Sequence, residues 1–566
     1  MTACKIFSMR LFCLFLIWAL WISGVSAFQI TEVYPDTFLN GDTDEYLVIS
    51  GQGPISTLEV TDGEGTLQFP SGSVSGGSIT IARDGEAFRK ITGKYPDYDL
   101  IGKSSSVAKP HITGKFQLAN QKDELTLILN GQVIQNLTWP GSFSPRKGQI
   151  HVLSREGIWD SRVYISGQSR FESTSFANIS GVAFVSPDCS RSVFEDAITS
   201  AHHEILVNIY EFTDQGFADL LCAAAARGVR IIVLIEGGPV GGISPDEQSV
   251  IATLSGSNIQ VSAMTGAGED HAPYRYDHAK YLVIDGERVL LTTENFTSHS
   301  IPHIGTSGNR GWGVFLTSRE LAGYFSQVFA SDLDGPGITR VQGYPSEITP
   351  YTGVSYNQVF EPVSFTAALV TPVLAPDTTD LIVPFISKAK KRVLIEEAYI
   401  KHWTGGKKNP YLQAAIDAAR RGVDVRIILD SFYYNDEDEA DNADIVDEIN
   451  GVADRDHLPL EARMIDLRST GLLKLHAKGV VADDSVFISS INWNENSPVF
   501  NREAGLIIED KSAAGYFASV FESDWKGGRV YEVPSAKKGP DMMKIGLASA
   551  IIIFLIVVYW RRQWQR

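Results

Sequence analysis

At 566 residues the chain is too long for a single hydrophobic core, so we expect three or four separate segments. Its formal net charge is −18, which argues against a general nucleic-acid-binding surface but leaves room for a small basic groove at an active site.

The first segment, residues 1–27, has the composition of a secretory signal peptide. Lys5 and Arg10 precede an apolar run over residues 11–22, and small residues follow up to Ala27. A basic start, a short apolar stretch and a small-residue end are the three parts of a cleavable signal. We expect cleavage after Ala27, and an uncleaved membrane anchor is the alternative.

Residues 28–140 contain short alternating apolar runs separated by Gly, Asp and Ser, which predict an antiparallel β-sandwich without helices. The runs ITEVYP, DEYLVIS and LANQKDELTLILNG resemble the lamin-tail domain, an immunoglobulin-like module. The resemblance implies a role in adhesion or positioning, and a purely structural role is the alternative. We expect residues 141–180 to form a linker with one or two strands.

Two later segments, 181–334 and 363–526, repeat each other around a connector at 335–362. AAARGVRIIVLIE in the first corresponds to DAARRGVDVRIILD in the second. Each reads as an Ala-rich helix ended by glycine and followed by a buried strand. The pattern predicts a duplicated α/β domain in which helices cover a sheet, within an α+β multidomain chain.

Each repeat contains the spacing His-x-Lys-x4-Asp, first at His278, Lys280 and Asp285 and then at His476, Lys478 and Asp483. Side chains two residues apart on a strand project from the same face, so His and Lys share a surface. The Asp lies an odd number of residues after the His, which indicates a role in shaping a turn before any other. Four polar residues in the motif tails are candidates for binding phosphate oxygens: Thr293, Asn295, Ser490 and Asn492.

Two such motifs, each with its polar tail, resemble the phospholipase D superfamily over about residues 179–525. The resemblance implies two facing domains related by a pseudo-twofold axis, with one phosphodiester held between the two lysines. It implies that His278 is the nucleophile and His476 the acid and base, without metal or cofactor. All six motif residues, including Asp285 and Asp483, are therefore site candidates.

The resemblance also implies that a carboxylate downstream of each tail orients a histidine. Glu503 takes that place for His476. The matching position in the first repeat is Gly311, so either Glu211 or Glu294 serves His278, or the two histidines exchange roles.

The C-terminal segment predicts a membrane anchor. Residues 527–543 form a stalk, 544–561 a transmembrane helix and 562–566 a cytoplasmic tail, since an uncharged run is followed by three arginines. The globular part would then lie outside the cell membrane. That location would allow a disulfide between Cys189 and Cys222.

These patterns predict a phosphodiesterase or phosphatidyltransferase of the phospholipase D type that acts on phospholipids at the outer membrane surface. A membrane-anchored nuclease that cuts DNA is the first alternative, and a non-catalytic surface-binding protein is the second. The expected partner is a phospholipid membrane, with DNA as the alternative. The duplication builds the site within one chain, so we expect a monomer.

Overall fold

The computed structural model describes residues 28–102, 106–154, 156–265, 273–347, 351–432 and 441–527. The predicted signal peptide (1–27), membrane helix (544–561) and cytoplasmic tail (562–566) lie outside these ranges, as does the stalk after residue 527. Within these ranges, no helix is both long and apolar enough to span a bilayer.

The N-terminal module is a β-sandwich of two sheets, one of six strands and one of five. Alternate residues of both sheets, among them Ile30, Leu47, Val60 and Leu125, point inward and form one core. The strands, in chain order, are β1 (Gln29–Tyr34), β2 (Tyr46–Pro54), β3 (Leu58–Thr61), β4 (Gly65–Gln68), β5 (Val74–Ala82), β6 (Tyr98–Asp99), β7 (His111–Gly114), β8 (Asp123–Leu129), β9 (Gln132–Trp139), β10 (Gln149–Val152) and β11 (Tyr164–Ile165). The first sheet has the order β11-β10-β1-β2-β5-β6 and the second the order β7-β4-β3-β8-β9.

Two features of this module differ from the sequence-based expectation. The expectation that the module lacks helices is wrong, since α1 (Gly85–Thr92) follows β5. Asp84 caps this helix by accepting two backbone N–H groups, and Phe88 and Ile91 are buried, so capping and two contacts suffice for so short a helix. The segment expected to be a linker does contain strands as expected, but its β10 and β11 belong to the module, because they extend the first sheet beyond β1.

The repeats form a first half (residues 176–340) and a second half (363–527). The first half contains β12 (Phe176–Ser186), α2 (Ser190–Thr199), β13 (Glu204–Ile209), α3 (Gln215–Ala226), β14 (Arg230–Glu236), α4 (Pro245–Gly256), β15 (Gln260–Met264), β16 (Tyr281–Ile284), β17 (Arg288–Thr292), β18 (Gly311–Thr317), α5 (Arg319–Leu333) and β19 (Ile338–Arg340). The second half contains β20 (Val363–Ala375), α6 (Ile382–Ser387), β21 (Arg392–Glu397), α7 (Pro410–Arg420), β22 (Asp424–Leu429), α8 (Asn442–Asp456), β23 (Leu460–Met464), α9 (Leu467–Thr470), β24 (Lys478–Ala482), β25 (Ser485–Ser489), α10 (Asn496–Phe500), β26 (Glu503–Glu509) and α11 (Lys511–Trp525).

Among the described residues, fifteen strands of the two halves form one continuous sheet, in the order β19-β15-β14-β13-β16-β17-β18-β12-β20-β26-β25-β24-β21-β22-β23. Apart from β19, this order reads the same from both ends, which is the predicted pseudo-twofold relation. The antiparallel pair β12 and β20 joins the halves. The three outer strands of each half are parallel. In the first half they are almost fully buried and apolar, whereas in the second half Glu461 and Arg463 of β23 are exposed.

The repeated helix ends have one local cause in both halves. Asp214 caps α3 and Asn409 caps α7, each by accepting backbone N–H groups of the first turn. Gly228 and Gly422 follow the helices with φ of 95° and 88°, a conformation that L-residues with a side chain rarely adopt. The ends predicted from the sequence for these two helices are therefore confirmed.

Cys189 and Cys222 are both free thiols. The disulfide that an extracellular location would allow is therefore not formed. Cys189 is buried beside the N-terminus of α2, where its Sγ lies 3.5 Å from the carbonyl oxygen of Val185. Burial raises the pKa of this thiol to about 11, which keeps it protonated and unreactive.

Two buried arginines hold the halves against each other. Arg502 of the second half bonds Asp332 on α5 of the first half at 2.8 Å. Arg310 of the first half bonds Asp524 on α11 of the second half at 2.7 Å. Both arginines are almost fully buried, and each also bonds an Asp of its own half, Asp188 for Arg310 and Asp377 for Arg502. The junction is thus fixed by two equivalent charge networks.

Removing one of these guanidinium groups should destabilise the protein strongly. Arg502→Ala leaves two carboxylates buried without their counter-ion, so we expect the free energy of unfolding to fall by about 3–5 kcal/mol. Denaturant unfolding measures the change. The matched control is Arg230→Ala, which breaks an exposed pair with Glu204 and should cost less than about 1 kcal/mol. Equal costs for the two variants would contradict the importance of the buried network.

Candidate active site

The two histidine–lysine pairs occupy equivalent places. Lys280 immediately precedes β16 and Lys478 is the first residue of β24, with each histidine two residues earlier. Lys280 Nζ donates to the carbonyl oxygen of His278 at 2.7 Å, and Lys478 Nζ donates to that of His476 at 2.7 Å. The alanine between each pair is fully buried on the opposite side. Each His and Lys therefore share one face, as the spacing predicts.

Backbone pairing between the halves brings the two histidines together. His278 N donates to the carbonyl oxygen of Arg502 at 2.8 Å, and His476 N donates to that of Arg310 at 2.9 Å. The same arginines bridge the halves through their side chains. The segment just before β16 is therefore hydrogen-bonded to the residue before β26, and the segment just before β24 is hydrogen-bonded to the residue before β18.

Each imidazole receives its carboxylate from the opposite half. His278 Nδ1 lies 2.8 Å from an oxygen of Glu503, and His476 Nδ1 lies 3.0 Å from an oxygen of Glu294. The expectation that Glu503 orients His476 is wrong, because the strand carrying Glu503 meets the first half at the junction. Glu211 and Glu294 are the carboxylates expected to serve His278. Neither does so, because Glu211 accepts from the Asn295 amide and Glu294 holds His476.

The two carboxylates reach equivalent places from different sequence positions. Strand pairing places Thr292 opposite Gly313 and Ser489 opposite Gly505, so Gly311 corresponds to Glu503 and Glu294 to Ile491. A Cβ on Gly311 would meet the Glu294 side chain at 2.2 Å. Glycine at that position therefore leaves the space that the transposed carboxylate fills.

Asp285 and Asp483 lie at the far ends of β16 and β24, away from the histidines. Both have φ near 55° in the hairpin turns, and each accepts three backbone N–H groups from the segment before the neighbouring strand. Burial alone would raise the pKa of both carboxyls, but these bonds hold it below its usual value. Their inclusion as catalytic candidates is thus corrected, and the turn-shaping interpretation holds.

Two of the four phosphate-binding candidates face inward. Thr293 is fully buried and its hydroxyl accepts the backbone N–H of Trp312, while the Ser490 hydroxyl accepts that of Ala504. These hydroxyls support the strands and do not face a substrate. Asn295 and Asn492 are partly exposed, and the N–H groups of a side-chain amide can donate to phosphate oxygens. The amides are therefore the remaining phosphate-binding candidates.

Burial and the opposing lysines keep both imidazoles neutral. Burial lowers the pKa of His278 to about 4, although Glu503 opposes the shift. Burial and then the charge of Lys478 hold the pKa of His476 well below its ordinary value. The charge of Lys478 acts on His278, and that of Lys280 on His476, so charges from both halves act within one site.

The lysines and carboxylates differ between the halves. Burial lowers the pKa of Lys280 to about 7 and that of Lys478 to about 8. Burial would raise the pKa of Glu503, but His278 and the lysine beside it bring the pKa below its usual value. Burial raises the pKa of Glu294, and its cationic neighbours only partly offset this. His278 therefore has the more strongly ionised partner.

Sequence reasoning missed one aromatic residue of the site. Tyr210 follows β13, and its ring lies edge-on to the His278 ring at 4.7 Å, with Lys280 Nζ 5.3 Å from its centroid. Its position after a parallel strand is a signal that could have found it, since such strand ends commonly face a site.

A protein-family model described as "Cardiolipin synthase, PLD-like domain" matches residues 194–333 and 382–525, just over half of the chain. The chain belongs to the phospholipase D superfamily. It is an enzyme of that superfamily with two repeats of the domain, which confirms the family, the duplication and the enzyme class predicted from the sequence. No comparison supports the lamin-tail resemblance of the N-terminal module, which stays a prediction.

Several solved structures are similar to the chain. Phosphatidylserine synthase of Haemophilus influenzae is 14% identical over 67% of this chain and 94% of its own, with a TM-score of 0.41. Nuc of Salmonella typhimurium, a phospholipase D family member, is 20% identical over 30% of this chain and 100% of its own, with a TM-score of 0.25. Among curated proteins, none matches significantly.

Replacing an orienting carboxylate should reduce turnover without removing the reacting groups. We expect Glu503→Gln to lower kcat by about 10²-fold or more, because an amide does not fix the tautomer in which Nδ1 carries the proton. Glu503 also raises the pKa of His278. The acid limb of the pH profile should therefore move to lower pH, which a purely structural loss would not cause. Glu287→Gln, at an exposed pair with Arg319, is the matched control.

The transposition supplies a rescue experiment. Glu294→Gln should be as harmful as Glu503→Gln, whereas Glu294→Ile combined with Gly311→Glu copies the second half and should recover part of the lost kcat. A double variant that is no more active than Glu294→Gln would contradict the equivalence of the two positions.

The lysine pKa values predict a fall in activity on the alkaline side. A lysine is cationic below its pKa, so both charges are present below about 7, and they are lost as pH rises through about 7 for Lys280 and about 8 for Lys478. On the acid side, His278 becomes protonated as pH falls through about 4. We expect kcat/KM, which reports the free enzyme, to be highest between these limits. A kcat/KM that stays constant through both lysine values would contradict this charge assignment.

Proposed function

We propose that the chain cleaves or transfers phospholipid phosphodiesters through a phosphohistidine intermediate at the outer face of a membrane. The supporting observation is the convergence of two His–Lys pairs from two halves, each imidazole held by a buried carboxylate of the other half. Paired imidazoles supply a nucleophile and a proton donor, and paired ammonium groups supply positive charge for the phosphoryl oxygens.

In the first step, His278 is the proposed nucleophile. Its Nδ1–H donates to Glu503, so Nε2 carries the lone pair that attacks phosphorus. Lys280 and Lys478 neutralise the nonbridging phosphate oxygens. The bond between phosphorus and the leaving alcohol oxygen breaks as the bond to Nε2 forms.

His476 is the proposed acid and base. The bound phosphate anion favours the imidazolium form of His476, whose Nε2–H then protonates the leaving oxygen. The neutral imidazole next removes a proton from water or from a second alcohol, which attacks phosphorus and releases His278. Hydrolysis and transfer thus share one intermediate, and the acceptor decides between them.

The choice of phospholipid over DNA is supported by the sequence outside the site. The net charge of −18 disfavours long contacts with a polyanion. The predicted signal peptide and C-terminal membrane helix would hold the site outside the cell beside lipid. In this proposal the chain acts as a monomer, and its lamin-tail-like module serves adhesion or positioning.

The proposal is tested by assaying the purified full-length chain in detergent against labelled phospholipid and plasmid in parallel, with and without chelator. We expect phospholipid turnover that chelator leaves unchanged. His278→Ala and His476→Ala should each lower it by about 10³-fold or more, because each removes a reacting group. Acid-labile label on the protein, lost in His278→Ala and retained in His476→Ala, would identify the nucleophile.

His111→Ala, an exposed histidine on β7, is the matched control and should retain full activity. Plasmid cleavage without phospholipid turnover would replace the proposed substrate with DNA. Near-normal rates in either active-site variant would overturn the paired-imidazole mechanism.

A further inference from the structure

Three exposed aliphatic side chains lie on loops that are hydrogen-bonded to residues of the candidate site or to one another. Val240 is 79% exposed at the tip of a glycine-rich loop, and its backbone N–H donates to the Tyr210 hydroxyl at 2.8 Å. Tyr210 in turn contacts His278. The backbone of Val240 is therefore linked to His278, the proposed nucleophile, through one side chain, that of Tyr210.

Ile304 and Val354 lie on two other loops that pair with each other. They are 56% and 73% exposed, and Ser307 N donates to the carbonyl oxygen of Val354 at 2.7 Å. The loop with Ile304 begins after Asn295 and returns at Asn309, whose amide bonds Glu294. The loop that carries Ile304 thus ends in contact with the carboxylate that holds His476, and the segment with Val354 is hydrogen-bonded to that loop.

Cations lie on aromatic rings around the same opening. Three such pairs approach within 6 Å of a ring centroid: Lys401 on Tyr399 at 5.9 Å, Arg275 on Phe500 at 4.9 Å and Lys474 on Phe432 at 5.6 Å. Each is near the chemistry, since Arg275 and Lys474 precede the two histidines closely in the chain and Glu503 acts on the ionisation of Tyr399. We call these cations and the three aliphatic tips the site rim.

A basic hairpin makes the rim asymmetric. Thr213 and Lys401 occupy equivalent places, since their backbone N–H groups donate to Phe296 and Trp493 respectively. In the first half the helix cap Asp214 follows at once, whereas in the second half residues 402–408 intervene before the cap at Asn409. The insertion turns at two left-handed glycines and adds Lys407 and Lys408, which we include in the site rim; Lys408 pairs with Glu448 at 3.6 Å.

We propose that the site rim docks on the surface of an anionic phospholipid bilayer, with Val240, Ile304 and Val354 entering the headgroup region and the rim cations binding lipid phosphates. This inference rests on the proposed function and names the surface on which that function takes place. Aliphatic tips between basic side chains match an interface that is apolar below and anionic above. The chain as a whole carries −18. In the hairpin, Lys408 pairs with Glu448 and Lys407 acts on the ionisation of Glu495, so the local excess of positive charge rests mainly on Lys401, Arg275 and Lys474.

A single-stranded nucleic acid fits the rim less well. Such ligands stack their bases on free aromatic faces. On Tyr399, Phe500 and Phe432 one face is already covered by a cation, and the aliphatic tips offer no stacking surface. The bilayer is therefore the partner that uses both parts of the rim.

The test separates docking from catalysis. The full-length chain with His278→Ala, purified in detergent and then reconstituted in nanodiscs of phosphatidylcholine, is mixed with vesicles of phosphatidylcholine alone or with added phosphatidylglycerol, and binding is measured by flotation. We expect binding only to the anionic vesicles. Lys401→Gln with Lys407→Gln should weaken it by about fivefold per charge removed. Val240→Ser with Val354→Ser should weaken it by about tenfold.

Matched controls are Lys115→Gln and Val133→Ser, exposed positions on the N-terminal module, which should bind as the parent does. In the otherwise unsubstituted enzyme, the rim variants should keep their rate on bis(4-nitrophenyl) phosphate, a soluble diester, and lose rate on vesicles. Unchanged vesicle binding in both rim pairs would overturn docking, as would tighter rim-dependent binding to oligonucleotide than to vesicles. Vesicle binding that depends on the rim but comes without phospholipid turnover would support docking and contradict the proposed substrate instead.

Discussion

The site depends on how the two halves hydrogen-bond across their junction. Arg310 and Arg502 each form a buried ion pair with a helix of the other half, and the carbonyl oxygen of each accepts the backbone N–H of the opposite histidine. A buried guanidinium is costly unless every partner is in place, so few relative positions of the halves satisfy both networks. The positions that do so also bring the two imidazoles to one site.

The same junction explains why the carboxylates cross over. Each imidazole projects toward the other half and finds a carboxylate there. The first half supplies it from Glu294 in the motif tail and the second from Glu503 at the start of β26, with Gly311 and Ile491 at the complementary positions. Each histidine therefore needs a carboxylate oxygen beside its Nδ1. Two backbone positions on neighbouring strands can place a glutamate so that it supplies that oxygen.

The halves are equivalent in fold but not in chemistry. Glu503 is more strongly ionised than Glu294, and Lys280 loses its proton more easily than Lys478. The second half alone adds the basic hairpin, whereas the first half carries the glycine-rich loop with Val240. A duplicated site can thus assign one histidine to attack and the other to proton transfer, because each has its own electrostatic surroundings.

The sequence by itself determined the features that depend on neighbouring residues. Those include the duplication, the helix ends at Gly228 and Gly422, the sharing of one face by each His and Lys, and the turns at Asp285 and Asp483. All of them follow from strand and helix periodicity or from the backbone preferences of single residues. Only the tertiary structure decided which carboxylate serves which histidine, because His278 and Glu503 are 225 positions apart and meet only when the halves dock. It also turned Thr293 and Ser490 inward and gathered the rim from separate loops, since a local pattern contains no information about the face that another domain will cover.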